Sequence, residues 1–293
     1  MDPELANEIK ELYQPISVKE FNKRNLSREF NILSYLSSGS NVKEQLVFDK
    51  RYRHLNRYSD VLAFRHSIVT LDDKELSVDN YINANYVNNR FTKKENNNLI
   101  LTQGPLPETT EDFWVMVENE GCEMIVCIVE ADKVGLKCHK YWPDKTSKTK
   151  EHSISTKQEE DNSIFIRNKI QLKSLKTTYD KAVDHYHFFN WLDFSTLSEG
   201  DTEEFLLFIE KMYKKKQECK GPIVIHCSAG IGRSGTLAAI FNIYDYWQQC
   251  KASDEEFKIS VFDVVRLIRK ERYGSVQTLQ QYRFIYSMVK KFK

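Results

Sequence analysis

Within residues 223–236 the chain reads IVIHCSAGIGRSGT: a cysteine opens a short loop, an arginine stands six residues on, and glycines occupy 230, 232 and 235. An apolar strand-like run precedes the loop and a helical pattern follows it. Glycines let successive N–H groups turn inward, and a helix N-terminus adds positive potential, so strand, loop and helix together make an anion cradle. The amides of Ser228, Ala229, Gly230, Ile231 and Gly232 are its candidate donors. No lysine follows the glycines, which excludes a Walker-type nucleotide loop. Arg233 can offer a planar fork to two phosphate oxygens. Inward amides, a helix N-terminus and that cation each lower a thiol pKa, so Cys227 is expected to be a thiolate at neutral pH. Under a bound phosphate it is placed for in-line attack on phosphorus. A cysteine alone before a glycine loop is usually a small buried hydrophobe; the whole constellation is what makes the reading specific.

The remaining pattern supplies the elements that must position this loop. Residues 3 to about 13 carry an amphipathic helical pattern, and 14–50 are polar and mixed, with short helices and loops expected. Tyr81–Tyr86 and Leu99–Thr102 are β-prone, Thr110–Glu120 reads as a threonine-capped helix, and Met124–Val129 is the continuous apolar run of a buried strand. Residues 145–163 are polar and read as an exposed hairpin or loop. Strands are expected over 164–172 and 181–191, and a helix over 201–216. A short buried strand then covers 222–226, and helices cover 234–250, about 260–272 and 278–291. There is no internal repeat, low-complexity tract or linker. The order predicts one α/β domain over 1–293: a highly twisted mixed sheet with helices on both faces, its motif-bearing core at about 50–290 and a helical extension at 1–49.

Composition narrows the function. Lysine plus arginine number 43 and aspartate plus glutamate 42, a net charge of +1, so no global field points to nucleic acid or to a membrane. The six cysteines form no CxxC pair and stand at no zinc-ligand spacing with histidines, so reduced, mostly buried thiols in a cytoplasmic protein are expected. The N-terminus has neither the basic nor the apolar region of a signal peptide, and no apolar stretch approaches the roughly 18 residues of a membrane span.

The segment His226–Thr236 (HCSAGIGRSGT) resembles the signature loop of the tyrosine-specific protein tyrosine phosphatases of non-receptor type. The resemblance extends over about 50–290. Asn56–Asp60 (NRYSD) resembles the family's phosphotyrosine-recognition loop, and Asp79–Tyr86 (DNYINANY), Thr102–Pro107 (TQGPLP) and Lys137–Pro143 (KCHKYWP) resemble its core motifs. Gln277–Tyr282 (QTLQQY) resembles its glutamine loop. The resemblance implies that Tyr58 lies along the substrate ring and sets a pocket too deep for phosphoserine. Asp60 would accept from the substrate backbone, Ser234 would donate to the sulfur, and His226 would orient the loop. Gln277 and Gln281 would place the water that hydrolyses a cysteinyl phosphate. It implies no metal and no cofactor.

Departure of a tyrosine oxygen requires a proton, and the family takes it from an aspartate in a mobile Trp-Pro-Asp loop. The literal Trp142-Pro143-Asp144 closes a structural motif and is rejected. His185–Phe194 (HYHFFNWLDF) is the matching segment, which makes Asp193, 34 residues before Cys227, the expected general acid. Leu192 stands where the family has proline, and Ser195, Thr196 and Leu197 replace its usual Gly-Val-Pro, so an altered open–closed balance of this loop is expected. Asp132 and Lys133 fall where the family has a glutamate and a lysine, and Lys133 is expected to meet Asp193. Arg269 and Arg272 are candidates for the border of a second anion pocket. The lysines at 211–220 read as a solvated helix face.

Two readings from other classes stand beside hydrolysis: a phosphotyrosine-sequestering protein whose acid loop has lost turnover, and a dual-specificity or phosphoinositide phosphatase, against which Tyr58 argues. The expected partners are phosphotyrosine proteins, with no nucleic acid and no membrane span, and the chain is expected to be a monomer. The lack of targeting modules resembles stand-alone family members, including those of polydnaviruses, for which the compartment would be the host-cell cytoplasm.

Overall fold

Three short runs, 99–102, 124–128 and 223–226, are buried at every position and apolar at all but Thr102 and His226, because both of their faces are covered. In the computed structural model, which describes residues 2–72, 74–92, 99–198 and 200–292, they are central strands of a nine-stranded sheet. The strands are β1 (Ile68–Thr70), β2 (Tyr81–Val87), β3 (Leu99–Thr102), β4 (Met124–Ile128), β5 (Thr146–Lys148), β6 (His152–Asp161), β7 (Phe165–Ser174), β8 (Asp180–Phe188) and β9 (Ile223–His226). Their order is β1-β2-β3-β9-β4-β8-β7-β6-β5. The pairs β3–β9, β9–β4 and β4–β8 are parallel, and the flanking pairs are antiparallel.

Alternation along these strands feeds two cores. Met124, Val126, Ile128, Ile223, Ile225, Leu99 and Leu101 face one of them. Ile125, Cys127, Val224 and Ile100 face the other. The first core is closed by α1 (Pro3–Leu12), α2 (Leu26–Ser37), α5 (Thr202–Glu218), α6 (Gly232–Ala252), α7 (Val261–Glu271) and α8 (Leu279–Val289). The second is closed by α4 (Thr110–Asn119), through Phe113, Trp114, Met116 and Val117. A one-turn helix, α3 (Ser40–Lys43), lies outside both. The fold is an α/β domain with helices on both faces of a mixed sheet.

Three expectations are refined. Of the two readings of the polar stretch 145–163, it is the hairpin that forms. The stretch forms all of β5 and β6, and inside it Ile154 is buried and His152 is held between Glu111 (3.2 Å) and Glu118 (2.7 Å). The cap of α4 is Thr109, whose hydroxyl takes the Leu106 N–H and not a helix amide. The strand expected to reach 191 ends at Phe188, which frees 189–191 to begin the loop that carries Asp193.

Candidate active site

The crevice beyond the carboxyl ends of parallel strands is where α/β sheets place their sites. Here β9 ends at His226, and Cys227 opens the loop that turns into α6. The turn requires glycine at 230: its φ is +71°, and a Cβ there would stand 2.1 Å from the Thr102 carbonyl oxygen. Arg272, wholly buried, braces the loop from behind. Its Nε and Nη2 donate to the carbonyls of Gly230 (3.2 Å) and Ala229 (3.0 Å), and its Nη1 donates to Asn83 and Asn85. Below it, His226 Nε2 and the Tyr141 hydroxyl are 2.7 Å apart, and burial pushes the His226 imidazole down to about 3, so the ring is neutral.

Cys227 is buried, and burial alone would raise its pKa. The Arg233 charge, the Ser234 hydroxyl and amide, and the Gly230 amide outweigh burial and hold the thiol below its ordinary value. The Gly230 N–H points at the sulfur from 3.3 Å. Arg233 Nη1 donates to Glu130 Oε2 (2.6 Å) and to the Trp191 carbonyl (2.8 Å). Its Nε and Nη2 are buried and without hydrogen bonds among the described residues. An arginine fixed on one edge, with donors that make no hydrogen bond on the other, is a receptor for an oxyanion.

Asp193 lies over this arginine. Its Oδ1 is 3.3 Å from Arg233 Nη2, its Oδ2 is 3.3 Å from Lys137 Nζ, and its backbone N–H donates to Glu130 Oε1 at 2.9 Å. Glu130 therefore bridges the arginine and the acid-bearing loop, and Arg233 is chief among the contacts that hold its carboxyl below the usual range despite burial. The Tyr58 hydroxyl donates to Ser228 Oγ (2.8 Å), which donates to the Lys137 carbonyl. Asp60 is exposed on the same loop. Gln277 and Gln281 both abut Gly232: a Cβ there would be 3.0 Å from Gln277 Oε1 and 3.1 Å from Gln281 Nε2. Gln281 Oε1 accepts from the amides of Gln277 (2.8 Å) and Thr278 (3.2 Å), which caps α8 and fixes the loop.

The structure thus gathers Tyr58, Asp193, residues 227–234, Gln277 and Gln281 around one crevice, and it corrects two assignments, those of Lys133 and Arg272. Lys133 pairs with Asp132 (2.7 Å), and the lysine on Asp193 is Lys137. Arg272 is buried behind the signature loop and borders no cavity among the described residues, whereas Arg269 does line a cavity of ≈ 530 Å³ with Arg90, Arg266 and Lys270. Arg269 donates to the carbonyls of Ser275 and Val276 at 2.8 Å, and Arg272 is spent on the loop. Asp144 of the literal Trp-Pro-Asp, rejected as the acid on sequence, pairs with Lys140. Sequence reasoning missed Glu130. Its one local signal is a carboxylate two residues past the end of a buried parallel strand, β4, whose neighbour β9 delivers Cys227 to the same edge.

Comparison with known proteins agrees with this geometry. The model of the family described as protein-tyrosine phosphatase matches residues 52–291. The mouse tyrosine-protein phosphatase non-receptor type 2 is 34% identical over 247 residues, covering 81% of this chain and 57% of the relative. Tyrosine-protein phosphatase 2 of Dictyostelium discoideum is 36% identical over 223 residues, covering 73% and 55%. The chain thus spans about half the length of these relatives. Among solved structures, one titled as the structural basis of the PTPN18 fingerprint on distinct HER2 tyrosine phosphorylation sites superposes with a TM-score of 0.78 at 26% identity, covering 94% of this chain and 99% of that one. In sequence over most of its length, and in fold, this chain belongs to the protein-tyrosine phosphatase family.

Proposed function

We propose that the chain hydrolyses phosphotyrosine in proteins through a cysteinyl-phosphate intermediate. The observation that carries this reading is the buried edge of Arg233, whose Nε and Nη2 make no hydrogen bond among the described residues, beside a thiol held toward its anion. Phosphate oxygens take the Arg233 Nε and Nη2 donors and the loop amides, which places phosphorus over Cys227 Sγ. The thiolate forms the S–P bond as the P–O bond to tyrosine breaks, and protonated Asp193 gives its proton to the departing phenolic oxygen. The donors fixed on the phosphoryl oxygens stabilise the charge of the transfer state. In the second step the Asp193 carboxylate takes a proton from a water held by Gln277. That water attacks phosphorus, the S–P bond breaks, and phosphate leaves with the thiolate restored.

Tyr58 beside Ser228 walls the entrance, which supports selectivity for a long aryl phosphate over phosphoserine. The anchored position of Asp193 favours turnover over sequestration. Free, mostly buried thiols and non-receptor relatives support a cytoplasmic site of action, and a monomeric chain acting on protein substrates without nucleic acid completes the proposal.

The test is steady-state hydrolysis of a phosphotyrosyl peptide and its phosphoseryl counterpart by wild type and Cys227→Ser, with a chelator present. The expectation is activity on phosphotyrosine alone, reduced by more than about three orders of magnitude in the variant. Wild-type protein that binds the phosphotyrosyl peptide without turnover would replace hydrolysis with sequestration.

A further inference from the structure

Single apolar side chains on a surface are ordinary, but apolar side chains gathered in one place mark a contact surface. Seven large apolar or aromatic side chains stand exposed among the described residues, and three of them adjoin the catalytic crevice: Leu136 (76% exposed), Leu192 (60%) and Phe194 (53%). None of the three packs against a core cluster.

Backbone contacts fix where they stand. Leu192 and Phe194 flank Asp193 on the loop after β8, and the Phe194 carbonyl accepts from the Thr278 hydroxyl at 3.4 Å, next to Gln277. Leu136 precedes Lys137, whose ammonium lies 3.3 Å from Asp193 Oδ2 and whose carbonyl accepts from Ser228 Oγ. The Leu136 carbonyl accepts from Arg57 Nη1 at 3.0 Å, and Arg57 adjoins Tyr58. Leu136 therefore stands between the Tyr58 loop and the acid-bearing loop, and Leu192 and Phe194 stand on the acid-bearing loop itself.

The charges at this mouth are turned inward. Arg57 gives Nε, Nη1 and Nη2 to the carbonyls of Gly104 (2.9 Å), Leu136 (3.0 Å) and Pro105 (2.6 Å). Lys137 is paired with Asp193, and Arg233 is buried beneath, held by Glu130. Asp60, exposed two residues past Tyr58, adds negative charge. A peptide whose phosphotyrosine enters the crevice lays its neighbouring residues across this rim. An acidic neighbour would meet cations already engaged and a like charge at Asp60, which disfavours it. A large apolar neighbour would cover Leu136 or Leu192 and remove apolar surface from water.

We propose that Leu136, Leu192 and Phe194 form an apolar collar that selects phosphotyrosine flanked by large apolar residues over phosphotyrosine flanked by acidic ones. The collar rests on the hydrolytic reading above and narrows its substrate class.

The test uses three phosphotyrosyl peptides that differ only at the two positions on each side of phosphotyrosine, where they carry leucine, serine or glutamate. Ratios of kcat/KM between peptides are read for each protein, so that an effect of a variant on the chemical step cancels. In wild type the leucine peptide is expected to exceed the serine peptide at least about fivefold, with the glutamate peptide the slowest. In the Leu136→Ser, Leu192→Ser double variant, altered at two exposed positions, the leucine-to-serine ratio is expected to fall below about twofold. Equal rates on the leucine and serine peptides in wild type, a preference for glutamate, or a ratio unchanged in the double variant would each overturn the collar and leave hydrolysis in place. Should wild type turn over none of the peptides, the same ratios are read as Kd by fluorescence anisotropy, which needs no turnover. A leucine preference lost in the double variant would then retain the collar without the proposed function, and equal affinities would overturn the collar as well.

Discussion

Cys227 and Arg233 set each other's charge. Each group's pKa is moved toward its ionised form by the other, against a burial that disfavours both charges. A lowered thiol pKa means that the thiolate survives as pH falls below the ordinary thiol value and is lost only on passing the depressed one. Iodoacetamide should therefore alkylate Cys227 at an undiminished rate at neutral pH, and Arg233→Ala should move the alkylation profile upward; mass spectrometry of the modified peptide checks both. The lysines make a second prediction. Lys137 touches Asp193 and Lys133 does not, so Lys137→Ala should lower kcat about two- to fivefold, the worth of a half-exposed ion pair. Lys133→Ala should leave kcat within error, as steady-state rates would show. The nucleophile and its arginine were legible in sequence because cysteine, glycines and arginine act within one turn of chain. Glu130 and Lys137 were not, because their partners lie 103 and 56 residues away and only the register of β4 beside β8 and β9 brings them together.

At the scale of elements, the loop after β8 is the least regular part of the site. Phe194 adopts φ +57°, a region costly for a side-chain-bearing residue, and Ser195 ties back to the Leu192 carbonyl at 2.7 Å. The Glu130 contact to the Asp193 amide and the Arg233 contact to the Trp191 carbonyl hold the loop over the crevice without proline. Leu192→Pro should restrict the open ensemble and raise kcat about two- to fivefold with little change in KM; an unchanged kcat would show that loop stiffness does not limit turnover. The central strands and long helices were legible from runs and periodicity. The β5–β6 hairpin was less so, since its anchor is a buried histidine between two carboxylates of α4 and its outer face is polar.

At the scale of the molecule, the helical extension packs into the first core, and a buried carboxylate ties it there to α8. Glu29 on α2 accepts the hydroxyls of Tyr282 (2.6 Å) and Tyr286 (2.7 Å) on α8, with Arg24 3.6 Å away. Nothing in the local sequence marks Glu29 as buried, because its partners lie some 250 residues on. Glu29→Ala strands both hydroxyls and should cost about 2–3 kcal/mol, read as a lower denaturant midpoint at unchanged slope, with kcat preserved at permissive temperature. A near-neutral chain with a strongly polarised crevice also fits the arrangement of charge: attraction for phosphate is made locally, by Arg233 and backbone amides, and not by the global field.

The central claim is that phosphate passes through Cys227. The most direct measurement mixes the enzyme with a phosphotyrosyl peptide, quenches in acid within the first turnovers, and locates the transferred phosphoryl group by mass spectrometry, with Gln277→Ala beside wild type to slow the second step. The account predicts one phosphoryl group on Cys227, more abundant in Gln277→Ala and absent in Cys227→Ser. Turnover with no adduct on Cys227, or with an undiminished rate in Cys227→Ser, would contradict it.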